Sequence, residues 1–197
     1  RAVSALCQTL IIILLYLIGK QLTMKQFSNL AIFGALLAVF SAGLVQAAHF
    51  LTVESLISLF ALLEVYFLLS AYKNYDRYKI YNFYLLLAVF SFGLGLATKL
   101  SFGAFILPFA TLILTPHPPK NRSMSRSRNL LRRMVSLGGL LLIPIFVFFL
   151  FNPSIFTNFN SFKSTLLYEI GVAAGKISVF YTRQFIDTIP GLFQLTK

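Results

Sequence analysis

The chain has 197 residues, 58% of them hydrophobic and only 11% charged, with a mean hydropathy of +0.82. A soluble domain usually carries about 25% charged residues, so a water-soluble globular fold is excluded and a bilayer is the solvent that accepts this surface. The net charge of +12 does not mark a nucleic-acid binder, because Lys and Arg fill short gaps between apolar runs and form no basic groove or stacking platform.

A spanning helix needs about 20 mainly apolar residues. In chain order the candidates are residues 2–19, 30–48, 53–72, 83–98, 102–114 and 135–151. The expected fold is all-α: a polytopic bundle of about six transmembrane helices over residues 1–151, then a long, partly helical loop over residues 152–197. The chain opens at Arg1 straight into an apolar run and closes in a polar stretch at Lys197, so it reads as an internal segment of a longer protein. Its one cysteine, Cys7, excludes an internal disulfide and a Cys-based metal cluster.

Loop charge sets the orientation. One set of loops holds Lys20 and Lys25, then Lys73, Arg77 and Lys79, then the basic run from Lys120 to Arg133. The other set is poorer, with Arg1, Lys99 and the scattered Lys163, Lys176, Arg183 and Lys197. The richer set is cytoplasmic by the positive-inside rule, and both ends of the segment face outside. The alternation works only if the chain turns at Lys99. Gly93, Gly95 and Gly103 around it favour a break, since glycine weakens a helix interior.

Local features fit this map. Tyr72, Tyr75, Tyr78, Tyr81 and Tyr84 recur around the second cytoplasmic loop as an interfacial belt. Thr115-Pro116-His117-Pro118-Pro119 ends the fifth expected helix. The run 120–133 is read as an anchor to anionic lipid, and its Asn121-Arg122-Ser123 sequon is on the wrong side for glycosylation. In the last loop, a short amphipathic helix is expected to start near Phe162 and run to Ala174 on the membrane surface.

Motifs of soluble enzymes are missing. The polar residues of the outer surface carry what chemistry there is. In His49-Phe50-Leu51-Thr52-Val53-Glu54, Thr52 is a candidate N-cap for the third helix and Glu54 suits its first turn. The same carboxylate and imidazole are able to hold a divalent cation or to hydrogen-bond a sugar. Lys99 either snorkels to the interface or holds a lipid phosphate as a point charge. Glu64, mid-membrane, is a functional candidate or a neutral, hydrogen-bonded acid.

These residues resemble a known family. His49-Phe50-Leu51-Thr52-Val53-Glu54, followed by Leu56 and Phe60, is similar to the His-Phe-x-Thr-x-Asp signature of lipid-carrier-dependent glycosyltransferases of the GT-C type. These are the relatives of protein O-mannosyltransferases and of the aminoarabinose transferases of lipid A. Gly93-Leu94-Gly95-Leu96-Ala97-Thr98-Lys99 resembles their Gly-rich segment ending in Thr-Lys. Tyr168-Glu169, Val172-Ala173-Ala174-Gly175-Lys176, Tyr181-Thr182-Arg183-Gln184-Phe185 and Thr188-Ile189-Pro190 resemble the run found in bacterial members.

The resemblance implies inverting transfer of a sugar from a polyprenyl-phosphate donor to an acceptor at the outer face of a bacterial plasma membrane. The partners it implies are the lipid-linked donor and membrane lipids. An Asp base is implied in a loop that would precede Arg1, so no catalytic residue is expected in this segment, and the segment alone is expected to be inactive. By position, Lys99 would contact the donor phosphate, with Glu54 and His49 beside the donor or a divalent cation. Tyr181, Arg183, Gln184 and Glu169 would wall the cavity. The acid is Glu54 where the pattern has Asp, which puts a geometry-critical role in doubt. The alternative is a transporter or flippase, pointed to by Glu64 and the glycine-interrupted helices, and a non-catalytic subunit is the third reading.

Overall fold

A computed structural model describes residues 2–22, 28–49, 53–114, 138, 142–173, 176 and 177. The elements among them are helical. They are α1 (Ala2–Leu22), α2 (Ser28–Val39), α3 (Ala42–His49), α4 (Glu54–Lys73), α5 (Tyr78–Thr98), a 3-10 helix (Leu100–Phe105), α6 (Ile106–Leu114), α7 (Leu142–Phe151), α8 (Ser154–Thr157) and α9 (Phe159–Ala173). The chain divides into two compact units, Arg1–Phe151 and Asn152–Lys197.

The all-α membrane class matches the expectation from composition, but the count of spans is lower. Among the described residues three helices, α1, α4 and α5, are long and apolar enough to cross a membrane. Each reaches about 30 Å at 1.5 Å per residue. A fourth span comes from α2 and α3 together, which meet at a bend of 53° where one straight helix was expected. The break is local. The N–H groups of Phe40 and Ser41 reach back to Leu36 and Ala38, and the Ser41 carbonyl restarts the ladder by accepting from Val45. The fifth expected helix is instead a 3-10 turn plus the nine-residue α6, and the described part of the sixth is α7. The described part of neither helix is long enough to cross on its own.

The packing is apolar outside and selectively polar inside. On α1, Ser4, Cys7, Gln8, Ile11, Leu14 and Ile18 are buried, a single stripe at three- and four-residue spacing. Leu6, Leu10 and Ile13 on its other faces are exposed, as a helix in hydrocarbon requires. On α2 the exposed set is Leu30, Ile32, Phe33, Leu36, Leu37 and Val39. Helix α4 is central. Its Leu59 packs with Cys7, Ile11 and Leu14 of α1, while its Ala61, Leu68 and Ala71 pack with Tyr81, Leu85, Ala88 and Phe92 of α5.

Two side-chain bridges fix the direction of α1 against α4. Gln8 Nε2 donates to Ser55 Oγ at 3.1 Å, and Gln21 Nε2 donates to Ser70 Oγ at 2.8 Å. The low-numbered end of α1 therefore lies at the low-numbered end of α4, and the two helices run parallel. A chain that crosses twice in the same direction must return in between. The bent α2–α3 pair is thus one broken span and not a re-entrant loop.

Helices α4 and α5 form an antiparallel hairpin. Its turn is closed by Asn74, whose Nδ2 donates to the Ser70 carbonyl at 2.8 Å, and by the Arg77 N–H donating to the Asn74 carbonyl at 2.9 Å. Tyr72 and Tyr78 are exposed near this turn, as a belt requires, but Tyr81 is buried in the helix pair and packs edge-on against Tyr75 at 5.3 Å. The five tyrosines are split between α4 (Tyr72), the turn (Tyr75) and α5 (Tyr78, Tyr81 and Tyr84), so they do not share one face. The basic run 120–133 lies outside the described residues.

In the second unit α9 extends the expected amphipathic helix towards its N-terminus. Asn158 Oδ1 accepts from the Ser161 N–H at 3.2 Å, a side-chain cap that starts the helix at Phe159. At the other end the N–H groups of Lys176 and Ile177 donate to the Gly171 carbonyl.

Candidate functional site

The parallel α1–α4 pair and the α4–α5 hairpin bring specific residues to one end of the bundle. Glu54 is the first residue of α4 and Lys99 follows the last residue of α5. In an antiparallel hairpin, residues equally far from the turn face each other, and these two stand at the open end. Lys99 Nζ donates to Glu54 Oε1 at 3.1 Å. Both side chains keep substantial exposure, 41% for Lys99 and 59% for Glu54.

Lys99 is held by its backbone. It is extended, with φ −158° and ψ 128°, between α5 and the 3-10 turn. Its N–H donates to the Gly95 carbonyl at 3.0 Å and its carbonyl accepts from Phe102 at 3.0 Å. The break predicted at Lys99 is therefore present, but the glycines act differently from the expectation. Gly93 and Gly95 lie inside a continuous α5, where they admit close neighbours. A Cβ at Gly95 would run into the Phe102 ring, and one at Gly93 would lie 2.8 Å from Val147 Cβ on α7. Phe102 is 1% exposed, stacks on Phe105 at 4.6 Å and leans on Phe92 at 5.8 Å. The chain leaves α5 at Lys99 because this aromatic cluster folds back over Gly95.

Glu54 is held from the other side. Its neighbour Ser55, 1% exposed, accepts from Gln8 of α1 and donates to the Ala47 carbonyl of α3 at 3.2 Å. This clasp ties three helices at the level of the pair. Gln8 Oε1 is buried and has no hydrogen-bond partner among the described residues. Sequence reasoning missed Gln8, although a lone amide in an apolar stripe is a signal in a membrane helix.

The remaining predicted residues divide as follows. His49 ends α3 at this end of the bundle and is exposed, and its Nδ1–H donates to the Val45 carbonyl at 2.8 Å. Among the described residues no hydrogen bond or ion pair joins His49 to Glu54 or Lys99, and no group of three His, Cys, Asp or Glu gathers. Thr52 lies outside the described residues. The cap position of α4 is Val53, which offers no side-chain cap. Glu169 is exposed on α9 in the second unit. Tyr181, Arg183 and Gln184 lie outside the described residues. Glu64 is fully buried within α4, on the face with Ala61, Leu68 and Ala71, and neither carboxylate oxygen has a hydrogen-bond partner among the described residues.

The profile of the dolichyl-phosphate-mannose-protein mannosyltransferase family matches residues 1–151. The chain belongs to this family. No curated protein and no solved structure matches the chain significantly. The matched stretch is the first compact unit and includes Gln8, His49, Glu54, Glu64 and Lys99. This family has a GT-C type glycosyltransferase domain, so the chain is assigned to the integral membrane glycosyltransferases that draw their sugar from a lipid-linked donor. That assignment takes precedence over the transporter and non-catalytic readings.

Proposed function

We propose that the open end of the α4–α5 hairpin is the seat of the donor phosphate, with Lys99 as its cation. The observation that carries this reading is the Lys99–Glu54 pair at 3.1 Å, formed by two residues that the sequence ranks as site candidates independently of each other. An ammonium at a helix break, part exposed and fixed by backbone bonds on both sides, suits a phosphate as a point charge. The donor is a polyprenyl-phosphate sugar, and transfer takes place at the non-cytoplasmic face of a bacterial plasma membrane, where the positive-inside rule puts Lys99. The acceptor hydroxyl oxygen attacks the anomeric carbon. The bond from that carbon to the phosphate oxygen breaks, its electron pair stays on the phosphate, and the acceptor proton passes to a base. The base is taken to be an aspartate outside the described residues, as the family resemblance implies.

The test is Lys99→Ala in the full-length protein, reconstituted with a polyprenyl-phosphate hexose. Transfer and donor binding should be lost while thermal unfolding is unchanged, and Lys99→Arg should restore part of the binding. Unchanged turnover would remove Lys99 from the phosphate.

A further inference from the structure

The transfer changes the charge of the lipid. The donor phosphate is a diester with one negative charge, whereas the product is a monoester whose second ionisation lies near pH 6. A bare lysine therefore holds the product more tightly than the donor, the opposite of what turnover needs. Lys99 is not bare, because Glu54 Oε1 lies 3.1 Å from its Nζ.

We propose that Glu54 is a charge gate on this seat, pairing with Lys99 when the seat is empty and repelling the doubly charged lipid phosphomonoester more than the singly charged phosphodiester. The inference rests on the reading that Lys99 takes the donor phosphate.

Two structural facts support it. First, the pair is weak enough to be displaced. One carboxylate oxygen meets one ammonium with both side chains part exposed, and pairs of this kind shift an equilibrium by about fivefold at most. Second, the carboxylate cannot leave. Glu54 is fixed at the start of α4 by the Ser55 clasp to Gln8 and Ala47, so a Glu54 displaced by phosphate stays within a side-chain's reach of it. The like-charge repulsion that results scales with the charge of the ligand. When the monoester departs, the carboxylate returns to the ammonium. His49 is the other titratable side chain the described residues bring to this end, so the test is run at one pH and varies the charge of the ligand.

The probes are geranylgeranyl phosphate and its methyl diester, bound to the full-length protein in nanodiscs at pH 8. In Glu54→Gln both should bind more tightly, the monoester by about fivefold and the diester by about twofold. Added geranylgeranyl phosphate should also become a stronger inhibitor of transfer. Glu54→Ala is the second variant and should shift the ratio of the two affinities in the same direction. If Lys99→Met leaves both affinities unchanged, the phosphate seat itself is wrong. If Lys99→Met abolishes binding but Glu54→Gln leaves the monoester-to-diester ratio unchanged, the seat stands and the gate is overturned. Weaker binding of both probes in Glu54→Gln, reproduced in wild type by EDTA, overturns the gate in favour of a divalent cation held by Glu54.

Discussion

Gly95→Ala is a sharp test of how the Lys99 seat is built. The added methyl group would enter the Phe102 ring. That ring is 1% exposed, stacked on Phe105 and packed against Phe92, so it has no free direction in which to swing. Overpacking of this kind costs about 1–3 kcal/mol. Alanine returns up to about 1 kcal/mol of helix propensity, which leaves a net loss near 1.5 kcal/mol. For a chain of this size that is a fall in melting temperature of roughly 3–6 °C. Gly43→Ala is the control, since nothing lies within 4 Å of a Cβ there, and it should be neutral or stabilising. Both variants can be followed by thermal size-exclusion in detergent. Donor affinity should fall in Gly95→Ala alone, because Lys99 is bonded to Gly95 on one side and to Phe102 on the other. Equal behaviour of the two variants would refute the claim that Gly95 makes room for the turn.

Gln8→Leu should raise the KM for the lipid donor while leaving stability within about 1 kcal/mol. The lost hydrogen bond is worth about 0.6 kcal/mol in a membrane, and removing Gln8 Oε1, which has no partner among the described residues, offsets it. A large loss of stability would show that this oxygen has a partner. Glu64→Met should be neutral or stabilising in thermal unfolding, since an apolar side chain of similar size replaces a buried acid with no partner among the described residues, and a loss above about 2 kcal/mol would refute that reading. In a Cys7→Ser background, Leu100→Cys should react with an impermeant maleimide from outside intact cells and Asp76→Cys only after lysis. The reverse pattern would invert the orientation.

The long helices were legible because the bilayer imposes a simple rule, an apolar run about 20 residues long. That rule finds α1, α4 and α5 within a few residues of their ends. It cannot see the bend between α2 and α3, because Ser41 and Gly43 are weak signals inside an apolar run and no proline marks the place. The glycines near Lys99 were visible, but their role was not. A glycine that breaks a helix and one that admits Phe102 look the same until the partner is known. Glu54 and Lys99 could be paired in principle by counting outward from the Asn74–Arg77 turn. Gln8 carried a signal, as an amide inside an apolar run, but the sequence does not say that Ser55 is what it meets.

The depth of the Glu54–Lys99 pair argues for a lipid-borne phosphate. Helix α4 runs 20 residues from Glu54 to Lys73, about 30 Å at 1.5 Å per residue, which is the thickness of the hydrocarbon core. Its two ends therefore lie at the two headgroup boundaries. Lys73 at one end donates to the Gln21 carbonyl at 2.6 Å, and Glu54 at the other meets Lys99. The clasps at Ser55 and Ser70 lie just inside these boundaries, roughly 20 Å apart along the axis, where an unmet polar group is costly. They lock α1 to α4 at both ends and so fix Glu54 from within the membrane. A phosphate attached to a polyprenyl chain is carried to this same boundary by the chain's own partition into hydrocarbon. Under the proposed reading, the pair is set at the depth where a lipid-linked donor presents its phosphate.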